Sequence, residues 1–80
     1  MTLYQYFCTY NKNTKEFLGI VQDMSGKEVF KIATPEQMEY MIETGDMKHI
    51  DDVDGLKKYL VMCDVIEKDC QILLEGTKIG

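Results

Sequence analysis

Eighty residues with 45% apolar content and eight aromatic side chains suffice for one small domain and are too rich in core-forming residues for a disordered chain. Fourteen acids against nine basic residues, all of them lysine, leave a formal net charge of −5. Without a cationic footprint or a guanidinium fork for phosphate, the chain is not expected to bind nucleic acid directly.

No apolar run approaches the ~18 residues of a membrane span, and the N-terminus has no basic segment followed by an apolar block. The three cysteines (Cys8, Cys63, Cys70) form an odd set without a Cys-x-x-Cys pair, which predicts free thiols in a reducing cytoplasm. At least two of them read as small buried hydrophobes.

Leu3 to Tyr10 is dense in aromatic and β-compatible residues and predicts a first strand. Asn11-Lys12-Asn13-Thr14 supplies turn chemistry, and Glu16 to Asp23 carries a second apolar run. After the Ser25-Gly26 turn, Lys27 to Ile32 mixes β-branched, aromatic and charged residues as a half-exposed strand does. Three strands with short turns predict an antiparallel meander.

Thr34-Pro35-Glu36-Gln37 reads as a helix start, with Thr34 as cap, Pro35 in the first turn and Gln37 closing a capping box. Met38, Met41 and Ile42 then form a buried stripe of a helix over 35–44, ended by Gly45. A second helix starts at Asp51 or Asp52 and buries Val53, Leu56, Leu60 and Cys63. Its end is not fixed, because Leu60 to Ile66 suits helix or strand. Cys70 to Glu75 predicts a final strand, closed by Gly76. The expected fold is α+β: a three-stranded antiparallel meander, two helices packed on one face, and a C-terminal strand joining the sheet.

Charge is distributed unevenly along this plan. Residues 1–33 carry four lysines and three acids, whereas 34–80 carry five lysines and eleven acids. Between Glu36 and Asp54 stand seven carboxylates (Glu36, Glu39, Glu43, Asp46, Asp51, Asp52, Asp54) and one lysine, Lys48. Glu36, Glu39 and Glu43 share a helix face within roughly 10 Å, and the aspartates can extend that row around the connector. Acids at two helix N-termini are also what the helix dipole favours, so a solvated face is the plain alternative. The second candidate surface is Tyr4, Tyr6 and Tyr10, which project from one face of the first strand with Cys8.

Catalytic and metal chemistry find little support. Asp52-Val53-Asp54-Gly55 matches the middle of an EF-hand loop, but that register puts Ile50 and Val61 at the two ends that need oxygen ligands. His49 is the single histidine and has no closely spaced zinc-type partner. Ser25 is the single serine and lies in a turn, and the glycines build no phosphate loop. No enzyme activity, cofactor or metal is expected.

No family emerges from these residues. In its shortness, acidity and lack of motifs the chain resembles, in style alone, small phage or mobile-element proteins that bind and block a host protein. That resemblance implies a non-enzymatic inhibitor whose carboxylates meet a basic, nucleic-acid-handling host protein, such as a defence nuclease, at a site built for phosphates. One alternative is a homo-oligomeric accessory protein that dimerises through the tyrosine face. Another is a small thiol or metal protein using Cys63, Cys70 or His49.

Overall fold

The computed structural model describes residues 1–44 and 47–79. Strands β1 (Thr2–Tyr10), β2 (Phe17–Asp23) and β3 (Glu28–Ile32) precede helices α1 (Pro35–Glu43) and α2 (Val53–Met62), and β4 (Cys70–Ile79) closes the chain. The sheet order is β3-β2-β1-β4. β1–β2 and β2–β3 pair antiparallel, as the turn residues predict. β4 lies parallel to β1, so the four-stranded sheet is mixed and not a meander throughout. A parallel neighbour needs a crossover, and the segment carrying both helices supplies it.

Local chemistry sets the turns and helix ends. Asn11 Oδ1 accepts from the backbone N–H groups of Asn13 and Thr14, and Asp23 Oδ1 accepts from those of Ser25 and Lys27. Gly26 takes φ +92°, a conformation that costs a glycine little. The capping box at α1 is complete, with Thr34 Oγ1 accepting from Gln37 N and Gln37 Oε1 accepting from Thr34 N. The expected stop at Gly45 lies outside the described residues.

α2 is capped by Asp52 and ends where Asp64 adopts φ +59°. The Val65 N–H then bonds to the Leu60 carbonyl and the Asp64 N–H to that of Val61, the pattern of a Schellman motif. The predicted end of β4 at Gly76 is corrected: the strand runs on to Ile79, with a register shift between Tyr6 and Phe7 of its partner β1.

One core joins the two layers. Tyr4, Tyr6 and Cys8 of β1, Val21, Ile32 and Ile72 meet Met41 of α1 and Leu56 and Leu60 of α2 in a single buried cluster. Both helices therefore cover the same face of the sheet. Cys63, assigned to the buried stripe from its spacing, is exposed: it is the C-cap residue, where the chain leaves the helix.

Candidate functional site

The tyrosines are where the strand parity puts them, but on the covered face. Tyr6 is 0% exposed, Tyr4 is buried and Tyr10 is half-buried. The Tyr6 hydroxyl donates to the Ile50 backbone carbonyl between the helices, and Tyr4 Oη donates to Glu67 at 3.0 Å. Burial drives both phenol pKa values up, so they remain neutral donors. The expectation of an exposed Tyr4/Tyr6/Tyr10 contact surface is corrected for this reason. Both faces of β1 carry apolar residues, and nothing local says which one the helices will cover.

The carboxylates separate by role. Asp52 Oδ1 accepts from Gly55 N at 3.1 Å and Oδ2 from Lys48 N at 3.0 Å. The Lys48 N–H, then that of Gly55, hold its carboxyl below the usual range. Asp52 is thus occupied in shaping the connector. Asp51 is half-buried, and its charge adds to the upward push that burial exerts on Tyr6 and Cys8. Asp51, Asp52 and Asp54 share a shallow depression with Lys48, His49 and Lys58, so this half of the acidic segment is mixed in sign. Asp46 lies outside the described residues.

Glu36, Glu39 and Glu43 form the purer feature. All three are exposed on the side of α1 opposite the buried Met41, and the capping box fixes the end of the helix from which they project. Among the described residues the single ion pair joins the N-terminal ammonium to Asp69 at 3.7 Å, so no ammonium group neutralises this row. The row is unfavourable for the isolated helix. Like charges three and four residues apart each cost about 0.2–0.5 kcal/mol, and Glu43 stands in the last turn, where the dipole disfavours an acid.

Two apolar side chains flank the row, and sequence reasoning missed both. Ile42, assigned to the buried stripe, is 48% exposed, and Tyr40 is 57% exposed. With Met41 as the deepest residue of α1, Ile42 stands about 100° around the helix and falls on its edge. Tyr40 packs edge-on against Tyr59 at 6.1 Å, and Tyr59 in turn lies 6.3 Å from Phe30 of the sheet. Beside Ile42 opens a cleft of about 430 Å³ lined by Tyr10, Phe17, Met38 and Ile50 together with Lys48, His49 and Asp51. Nine helical residues span only about 14 Å, whereas nine strand residues span about 30 Å, so α1 cannot cover the whole of β1.

Chemistry elsewhere is sparse. Cys63 is exposed and Cys8 and Cys70 are buried, all as free thiols. Among the described residues no group of three His, Cys, Asp or Glu side chains is arranged to hold a metal ion, and no helix is long and apolar enough to cross a membrane. No protein family matches the chain, and neither the curated proteins nor the solved structures yield a match.

Proposed function

We propose that the protein is a small non-enzymatic binding module that presents the outer face of α1 to a basic surface on a partner protein. One observation carries this reading: an exposed row of three carboxylates, with no ion pair among the described residues, runs between an exposed tyrosine and a mainly apolar cleft. A cationic partner relieves the repulsion along the row, steers encounter and fixes orientation. Tyr40 and the cleft beside Ile42 supply the apolar anchors that slow dissociation.

The class of partner follows from charge. A surface built for phosphates, as on a nucleic-acid-handling host protein, offers the matching cations, and a module that occupies it acts as an inhibitor. Of the seven acids in the central segment, Glu36, Glu39 and Glu43 are assigned the contact. Asp51 lines the adjoining cleft, Asp54 sits with Lys58 at the start of α2, and Asp52 holds the connector.

Selection of random displayed peptides on the wild-type protein, with counter-selection on the Glu36→Lys/Glu39→Lys/Glu43→Lys variant, tests the reading. Recovered sequences should combine Lys or Arg with a large apolar residue and bind the variant at least about tenfold more weakly. Recovery of neutral or acidic sequences, or of peptides held equally by the variant, would overturn it.

A further inference from the structure

The sheet face turned away from the helices has a composition of its own. β1 places Leu3, Gln5, Phe7 and Thr9 on it, and β2 places Leu18, Ile20 and Gln22 there, with Phe7 opposite Ile20 and Thr9 opposite Leu18. Phe7 and Leu18 are exposed, and Leu3 and Ile20 are half-buried. Gln22 Nε2 donates to Gln5 Oε1 at 3.0 Å, so the polar pair at the centre is uncharged. In a chain with 29% charged residues, the two central strands contribute none to this face. Its margins carry Lys31 and Glu28 on β3 and Lys78 and the exposed Glu75 on β4. The molecule is 16 Å across its thinnest direction, the depth of one helix layer on one sheet.

We infer that a second copy of this chain docks on the open sheet face, making a two-fold sandwich dimer with α1 of each copy on the outside. Charge favours this occupant. Two bodies of net charge −5 repel least across surface free of carboxylates, and β1 and β2 provide it while the Glu36/Glu39/Glu43 row stays outward. In a two-fold contact each apolar row of β1 and β2 meets its own image.

Size agrees as well. Four strands about 4.8 Å apart, with roughly seven residues each at about 3.3 Å, offer a face of roughly 450 Å² in projection. Both copies together cover roughly 900 Å² in projection, the size class of weak, transient interfaces. A reversible dimer follows, with the two sheets about 10 Å apart.

Analytical ultracentrifugation over roughly 1–500 µM tests this without any foreign partner. The mass should rise from 9.3 kDa towards twice that value with concentration. Association should tighten between about 50 and 500 mM salt as self-repulsion is screened. Leu18→Glu should raise the dissociation constant at least about thirtyfold. Thr9→Arg, at an exposed position where the fold is not at stake, should weaken the dimer in the same direction. A mass fixed at 9.3 kDa throughout, or a dimer that survives either substitution in a folded variant, would overturn the inference.

Discussion

The Tyr6 ring passes directly over Gly19 of β2, so that a Cβ at position 19 would stand 2.6 Å from Tyr6 Oη and 3.1 Å from Cε1. Gly19 is there because the phenol must cross the sheet to reach the Ile50 carbonyl. Gly19→Ala should destabilise the fold by about 2–3 kcal/mol through overpacking, and Tyr6→Phe by about 1–3 kcal/mol by orphaning a buried carbonyl. The double variant should cost at least about 1 kcal/mol less than the sum, since the phenylalanine removes the worst clash. Urea unfolding of all four proteins gives the coupling, and strict additivity would contradict the geometry.

Asp64 supplies the left-handed residue that stops α2, a position where glycine is better suited. Asp64→Gly should raise stability by about 0.5–1 kcal/mol, read as a higher urea midpoint at unchanged slope. A loss of stability would mean that the aspartate makes a compensating contact.

These two sites also show where sequence reading stops. Asn11 to Thr14, Ser25-Gly26 and the Thr34/Gln37 box act through their own backbone neighbourhood, and the turns and the start of α1 they announce are found in place. The end of α2 was hidden because its stop residue is an aspartate, and Leu60 to Ile66 is apolar enough for helix or strand. The parallel placement of β4 depends on partners far away in sequence, so no local signal carries it. The parity of Tyr4, Tyr6 and Cys8 was legible. Which face of β1 the helices cover was not, because Leu3 and Phe7 are as apolar as the tyrosines. The Glu36/Glu39/Glu43 row was readable from helical spacing, whereas its flanks, Tyr40 and Ile42, depend on how far α1 rotates towards Met41.

Acid sensitivity should report the cap of α2. The Asp52 carboxyl is held below the unfolded value of about 3.9. Its contribution to stability is thus complete above that value and fades as pH falls through the folded pKa. Asp23, bonded by the Ser25 side chain and the Lys27 N–H, and Glu67, bonded by the Thr2 side chain, are lowered too and share the acid limb. Asp52→Asn keeps an acceptor at the cap but cannot ionise. Its urea midpoint should decline less steeply than that of wild type between about pH 5 and pH 2. Parallel curves would contradict the role given to this carboxylate.

The three thiols should divide two to one. Cys63 is exposed at the end of α2, whereas burial both encloses Cys8 and Cys70 and raises their pKa. An aromatic disulfide reagent should modify one thiol of the native protein at least about a hundredfold faster than the others. Cys63→Ser should abolish that fast phase. Two or more fast thiols would contradict the burial of β1 or β4.

The outer face of α1 should show opposite signs for stability and binding. Replacing Glu43 by lysine relieves repulsion and suits the helix C-terminus, so the free protein should gain about 0.5 kcal/mol while recognition suffers. The most direct measurement is a quantitative affinity pull-down from the native host at low and high salt, comparing wild type with Glu36→Lys/Glu39→Lys/Glu43→Lys. Wild type should enrich a basic protein whose recovery falls as salt rises, and the folded triple variant should lose it. A partner retained equally by both proteins, or no protein enriched by wild type over the variant, would contradict the account.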